Sequence, residues 1–262
     1  MNLSTMVSRA ATATALAVAL GLGSASGVQA APVTGKVGTA GATGRADDGG
    51  WQGEGGLTLN AADNARVDAF AEEARKAERS ISPQVRAAAR LTSAELVGFD
   101  QRLKSPDSLK RKVATSMKEH PGQKVNEALA GINDSVRYTL QWPDGRYTTG
   151  VTLASHALSV WGNDSVKWSN TWGRAKGYKA INSAWQAPRS QHRFEVQFHT
   201  PAGKHAQEVT HKLYEEQRLP GTSPERAREL QEQQDAIFAA VPVPAGADRL
   251  SAPVTRRPAP VG

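Results

Sequence analysis

The stretch His192–Pro201, HRFEVQFHTP, says more about the fold than any other part of the 262-residue chain. Apolar residues alternate in it with an acid, an amide and an imidazole. The apolar set is Phe194, Val196 and Phe198, and the polar set is Glu195, Gln197 and His199. Because a β-strand turns successive side chains to opposite faces, the stretch predicts a strand with one apolar and one polar face. The polar groups are of the types that hold metals, orient substrates and move protons. A strand that merely covers a core is the alternative for the stretch taken alone.

The segments around this strand predict an α+β domain with a mixed central sheet flanked by helices. Three helical segments are expected between residues 60 and 102, interrupted near Pro83 and at Thr92–Ser93. A further helix should start at Ser105-Pro106-Asp107 and run to about Glu119. The later elements expected are a β-hairpin of strands 135–142 and 147–154 around the turn Pro143–Arg146, and helices at 209–218 and 223–240.

The first thirty residues have the features of a secretory signal peptide. Arg9 supplies a positive charge, residues 13–22 form an apolar stretch, and Val28–Ala30 ends in small residues suited to cleavage. The apolar stretch is too short and too rich in alanine and glycine for a spanning helix. We therefore expect a secreted, extracellular protein, cleaved near Ala30.

Composition sets the bounds of the folded body. Residues 31–56 are rich in glycine and alanine and predict a flexible spacer, and residues 241–262 predict a disordered tail rich in proline and alanine. The domain is expected at residues 57–240. The chain has no cysteine, so the core alone must stabilise it. Its 32 Lys and Arg against 25 Asp and Glu give a net charge of +7, which favours anionic partners.

A second informative stretch is Arg102–Lys112, RLKSPDSLKRK. Arg102 and Lys104 precede the expected start of a helix, Ser108 lies in its first turn, and Lys112 follows one turn later on the same face. A helix N-terminus surrounded by cations is suited to binding polyphosphate. A solvated basic helix is the alternative.

Two shorter segments complete the candidate site. Asp134 stands just before an expected strand, where a carboxylate can ligate Mg²⁺ or simply form a turn. In RAKGYKAIN, residues 174–182, Gly177 allows close approach of a ligand and Tyr178 offers a flat face to a nucleobase, although such a tyrosine also serves ordinary packing. The sequence contains none of the common phosphate-binding loop motifs.

Taken in order, these four segments resemble the synthetase domain of the RelA/SpoT family, which makes alarmones of the (p)ppGpp type. The family pattern R-x-K, serine, lysine is similar to the stretch that begins at Arg102, and the pattern E-V-Q-x-x-T to the stretch that begins at Glu195. The resemblance extends over about Phe99–Arg218 and includes His211 and Tyr214 on a following helix. An exported, stand-alone chain is most similar to the secreted ATP nucleotide 3′-pyrophosphokinases of actinomycetes.

This resemblance implies a nucleotidyltransferase-like fold and a pyrophosphokinase activity. The β,γ-pyrophosphoryl group of ATP would pass to the 3′-hydroxyl of a purine nucleoside 5′-phosphate, giving AMP and a product of the (p)ppApp or (p)ppGpp type. Asp134 and Glu195 would hold Mg²⁺, and Glu195 would also take the hydroxyl proton. The implied ATP-binding residues are Arg102, Lys104, Ser108, Lys112 and Arg137. The implied acceptor-binding residues are Arg174, Lys176, Tyr178, Asn182, Gln197, His199 and His211. No nucleic-acid, membrane or obligate protein partner is expected.

The chain departs from the family pattern at three positions. Arg137 follows Asp134 by three residues instead of five, Asn182 stands where the family has histidine, and His199 where it has arginine. The preferred acceptor therefore stays open, and so do two other functions. One is a secreted, metal-independent ribonuclease or nucleotide-acting toxin that uses Glu195 with His199 or His211. The other is a non-catalytic basic protein that binds nucleic acid or envelope polymers.

Overall fold

The computed structural model describes residues 44–45, 49–219 and 221–254. The predicted signal peptide at residues 1–30, with its cleavage site, lies outside these residues. None of the helices within them is long and apolar enough to cross a membrane.

The described residues form eight strands, six α-helices and three short 3-10 helices. The strands are β1 Gly44–Arg45, β2 Trp51–Gly53, β3 Leu57–Leu59, β4 Glu95–Val97, β5 Arg137–Gln141, β6 Asp164–Asn170, β7 Ile181–Gln186 and β8 Arg193–His199. The helices are α1 Ala61–Thr92, α2 Pro106–Glu119, α3 Val125–Ala130, α4 Asp144–Val160, α5 Pro201–Gln217 and α6 Pro224–Ala239.

The predicted strand around Glu195 is β8, and it lies in the middle of a five-stranded sheet. The strand order is β4-β5-β8-β7-β6, with β8 parallel to β5 and antiparallel to β7. Helices flank this mixed sheet, which confirms the predicted α+β class. Phe194, Val196 and Phe198 are fully buried in the main core, so the apolar face of β8 faces inward as its alternation predicts.

Helix α1 packs against this core and joins the first two of the three expected helices into one element. The third, expected at residues 93–102, is wrong, because this stretch forms strand β4 at the edge of the sheet and a short 3-10 helix Phe99–Gln101. Asn60 caps its N-terminus by accepting a hydrogen bond from the backbone N–H of Asp63 at 2.8 Å. Pro83 lies inside the helix without ending it. Ile81 and Val85 on either side are buried in the main core, and this packing keeps the helix continuous through the proline.

The predicted hairpin is wrong in its second half, because residues 147–154 belong to helix α4. Pro143 is the N-cap and Asp144 supplies an acid in the first turn, so the PDGR sequence starts a helix instead of a turn. Tyr147, Val151 and Leu158 are buried at helical spacing against the core.

The folded body extends beyond the predicted bounds of 57–240 at both ends. In the predicted spacer, Trp51 is 5% exposed and its indole Nε1 donates to Asp107 Oδ1 at 3.0 Å. In the predicted tail, the carbonyl oxygen of Ala247 accepts from Asn170 Nδ2 at 2.7 Å and that of Leu250 accepts from Trp168 Nε1 at 3.2 Å. The predicted spacer is thus held by one large aromatic residue, and the predicted tail by hydrogen bonds from side chains to its backbone carbonyls. The average composition of a segment does not predict either kind of contact.

Candidate functional site

The sheet carries a row of polar residues on the face opposite the main core. In the pairing of β5 with β8, Arg137 lies opposite Glu195, and in the pairing of β7 with β8, Asn182 lies opposite Gln197. His199 continues the row at the carboxyl end of β8. We call the side of the sheet that bears these five residues the polar face. The structure therefore brings together side chains that the sequence separates by up to 62 positions (199 − 137).

Asp134 lies just before β5 and is held by two lysines. Lys104 Nζ lies 2.8 Å from its Oδ2, and Lys112 Nζ lies 2.8 Å from its Oδ1. The carboxylate is only 3% exposed. Burial by itself raises its pKa, but the two ammonium groups outweigh burial and lower the pKa to about 2. Asp134 is thus a fixed negative charge at any physiological pH.

Local structure fixes both lysines. The backbone N–H of Lys104 donates to the carbonyl of Ser135 at 3.0 Å, which ties the segment before α2 to the segment before β5. The predicted helix start is confirmed: Ser105 caps α2, with its hydroxyl accepting from the N–H of Ser108 at 3.2 Å. Lys112 follows two turns into α2 and returns to the same carboxylate, so Lys104 of the R-x-K pattern and Lys112 converge on one acid.

Glu195 is the second buried acid and has the opposite electrostatic environment. It is 9% exposed and accepts a hydrogen bond from Gln197 Nε2 at 2.7 Å. Burial raises its pKa to about 7, with the charge of Asp134 acting in the same direction and Arg137 opposing it. Two neighbouring carboxyl groups whose pKa values are pushed apart are a common arrangement in sites that move protons.

Arg102 is bound to an acid that the motif did not include. Its Nε lies 2.5 Å from Glu78 Oε1, and its guanidinium stands 4.3 Å from the centre of the Phe99 ring. The hydroxyl of Ser82 also donates to Glu78 and lies 2.8 Å from the hydroxyl of Tyr138. Glu78 is buried on the inner face of α1 between alanines and Ile81, and an acid in such an apolar stripe is the sequence signal that could have identified it.

Tyr178, the predicted base-stacking residue, is enclosed by the protein. It is 4% exposed, and its ring lies between His199 and Phe238 of α6, at centroid distances of 5.7 and 5.8 Å. Its hydroxyl donates to Asn182 Oδ1 at 3.0 Å and lies 2.9 Å from His199 Nε2. A base could stack on this ring only after α6 had moved, so stacking stays a prediction.

The other predicted acceptor residues are spread more widely. Arg174 and Lys176 are exposed, and Lys176 Nζ lies 3.9 Å from Asp235 of α6. His211 lies on α5 with its Nδ1 3.6 Å from Glu215 on the same helix. Neither contact joins these residues to the polar face. His199 is fully buried, and burial lowers its pKa to about 3, with the charges of Lys204 and Arg137 acting in the same direction.

Asp134 and Glu195 are the side chains that could hold a metal. No group of three or more His, Cys, Asp and Glu side chains within the described ranges could form a protein-only site. Mg²⁺ commonly takes one or two carboxylates and completes its shell with substrate phosphates and water. Because Asp134 raises the pKa of Glu195, a cation near both would relieve their repulsion, and the pair therefore fits Mg²⁺ that arrives with a nucleotide.

Comparison with known proteins gives structural likenesses only. No protein-family model matches the chain, and no curated protein matches it. The small alarmone synthetase 1 of Bacillus subtilis bound to its product pppGpp is similar at 15% identity with a TM-score of 0.48, over 66% of this chain and 92% of that chain. A second structure of that synthetase gives 16% and 0.47, over 65% and 90%. A GTP pyrophosphokinase family protein from Streptococcus pneumoniae gives 12% and 0.46, over 65% and 87%. At these values none of the three assigns a function to this chain.

Proposed function

We propose that this protein is a pyrophosphokinase that transfers the β,γ-pyrophosphoryl group of ATP to the 3′-hydroxyl of a purine nucleoside 5′-phosphate. The observation that carries the proposal is the cluster at the polar face. A buried aspartate is held by Lys104 and Lys112, and a second buried acid, Glu195, lies near enough for the charge of Asp134 to act on it. The motif resemblance assigns the same residues to donor binding and proton transfer.

Binding of the donor falls to the cations around Asp134. Lys104 and Lys112 each carry a positive charge that can turn from the carboxylate to the ATP phosphates, and Arg102 lies at the same end of the site. Phosphoryl-type transfer needs mainly positioning and charge neutralisation, which such a cluster provides. Mg²⁺ held by the two carboxylates would neutralise further phosphate charge.

Glu195 serves as the proton acceptor in this proposal. The oxygen of the acceptor 3′-hydroxyl forms a bond to the β-phosphorus of ATP, and its proton passes to the Glu195 carboxylate. The bond between the β-phosphorus and the α,β-bridging oxygen breaks, and AMP leaves with the electron pair. Gln197 donates to Glu195 and holds the carboxylate in place on β8.

The burial of His199 argues against a ribonuclease that uses Glu195 and His199 as its acid–base pair. A general acid must carry a proton near neutral pH, whereas burial keeps His199 neutral down to a pKa of about 3. The side chain of His211, the other candidate, lies 3.6 Å from Glu215 of the same helix. The acid–base pair that this alternative needs is therefore poorly supported.

One experiment tests the proposed reaction. The protein is incubated with Mg²⁺, ATP radiolabelled at the β-phosphorus, and AMP, GDP or GTP as acceptor. The expected result is label in the acceptor product together with release of AMP from the donor. Label that stays in ADP would indicate a simple kinase. RNA cleavage that persists with a chelator would indicate a metal-independent ribonuclease.

The proposed reaction takes place outside the cell, on the basis of the predicted signal peptide. N-terminal sequencing of the protein from culture medium should begin at Ala31. Protein found only in cells, with Met1 intact, would contradict export.

A further inference from the structure

Lys204 on α5 is a cation at the polar face that belongs to none of the motifs. Helix α5 begins directly after β8, with Thr200 as its N-cap, so its first turn continues from His199. Lys204 lies in that turn, and its side chain is 22% exposed. Its charge acts on His199 and is itself acted on by Arg137 across the polar face. Lys204 therefore lies at the end of the polar face away from Asp134.

The first turn of α5 is packed tightly against the segment that carries Tyr178. A Cβ added at Gly203 would lie 2.9 Å from the carbonyl oxygen of Lys179, so the backbones are in direct contact there. This close approach fixes Lys204 relative to the acceptor residues predicted from the motif. Arg174 and Lys176, which the motif resemblance assigns to the acceptor phosphates, are exposed.

The surroundings of Lys204 leave much of its charge uncompensated. Its Nζ lies 3.0 Å from the neutral Gln207 and 3.5 Å from Glu208, a 59% exposed carboxylate that only partly offsets the burial that lowers the pKa of Lys204. Arg137 adds a second positive charge at the same face. A lysine near a helix N-terminus also opposes the helix dipole, so helix stability does not explain its position.

The buried imidazole beside it is also incomplete. His199 Nδ1 has no hydrogen-bond partner among the residues that the structure describes, although the ring is fully buried. Because the Tyr178 hydroxyl donates to Asn182, the neutral imidazole carries its proton on Nε2, and Nδ1 is left as an acceptor that a hydroxyl group of a bound nucleotide could satisfy. An anion with acceptor oxygens would compensate the lysine.

We propose that Lys204 is a specificity-determining residue that binds the 5′-phosphate of the acceptor nucleotide. The inference rests on the proposed function and adds to it the contact that selects nucleotides over nucleosides. The donor phosphates lie with Lys104 and Lys112 at one end of the polar face, and the acceptor 5′-phosphate lies with Lys204 at the other. Glu195, between the two ends, faces the 3′-hydroxyl.

The test compares binding of AMP and adenosine, which differ only in the 5′-phosphate. Affinities are measured by calorimetry with Mg²⁺ and a non-hydrolysable ATP analogue present, for wild type, Lys204→Met and Lys204→Arg. Lys204→Met should weaken AMP binding by at least about 10-fold, the loss of one charge-assisted hydrogen bond, and should change adenosine binding by less than about 2-fold. Lys204→Arg should keep most of the preference for AMP. Lys212→Met, an exposed position on the same helix, is the matched control.

Equal AMP affinity in wild type and Lys204→Met would overturn the inference, as would equal weakening of AMP and adenosine. If Lys204→Met does not fold, Lys204→Gln gives the same comparison with a polar side chain. Wild-type protein that prefers AMP to adenosine through Lys204 but transfers no pyrophosphate would refute the proposed reaction and leave the phosphate contact in place.

Discussion

Glu78→Gln tests whether the buried acid of α1 holds Arg102 in position. The glutamine keeps the shape of the side chain and can still accept from Arg102 Nε, but it loses the negative charge. A hydrogen bond to a charged group contributes about 1.5–3 kcal/mol. Arg102 is 24% exposed, so solvent screening reduces this to about 1–2 kcal/mol. That corresponds to roughly a 5- to 30-fold weaker hold on the guanidinium.

Two measurements follow from this value. Urea unfolding should show Glu78→Gln less stable by about 1–2 kcal/mol. If Arg102 binds ATP, the KM for ATP should also rise by roughly 5- to 30-fold, with little change in the KM for the acceptor. Glu72→Gln is the control, because its partner Arg75 and Glu72 itself are both about half exposed on the same helix. A change of stability without any change in the KM for ATP would refute the positioning role of Glu78.

Three more predictions concern the reaction, the core and acid stability. Glu195→Gln should fold normally and lose about 10²–10⁴-fold in turnover, so near wild-type rates would refute its role as proton acceptor. Gly150→Ala should lower the free energy of unfolding by about 1–3 kcal/mol, because the new Cβ would lie 2.5 Å from the Trp142 ring; an unchanged melting temperature would contradict this packing. Burial lowers the pKa of His199 from 6.5 to about 3, so the unfolded chain takes up a proton first as pH falls. The contribution of the neutral His199 to the free energy of unfolding is therefore complete above pH 6.5 and is lost between pH 6.5 and about 3. In His199→Gln, the free energy of unfolding in urea should change less with pH over this range.

The parts of this protein that its sequence predicts well are those with local signals. The alternation in β8 correctly separates a buried apolar set from a polar set that includes Glu195. The Ser105-Pro106 start of α2 is correct because capping and proline geometry involve only neighbouring residues. The meeting of Asp134 with its two lysines is not local: a strand bridge between Leu103 and Val136 aligns Lys104 with the acid, and Lys112 reaches it from α2.

The parts that fail depend on contacts distant in sequence. PDGR was expected to turn the chain, yet Tyr147 and the residues after it become helical because they pack on the core. Glu78 and Lys204 belong to no motif, since each reaches the site through the packing of its helix. The enclosure of Tyr178 by Phe238 involves residues 60 positions apart (238 − 178), and no spacing rule in the sequence predicts it.

The contrast between Asp134 and Glu195 explains how one face can both bind charge and move a proton. Two ammonium groups hold Asp134 ionised, whereas burial, together with the charge of Asp134, raises the pKa of Glu195 to about 7. If the lysines were paired with Glu195 instead, its pKa would fall and it would be a poor acceptor for a hydroxyl proton. The placement of both lysines on the aspartate therefore keeps the donor end strongly charged and the acid on β8 able to change its protonation state. The difference lies in the surroundings of the two acids, since their chemistry is the same.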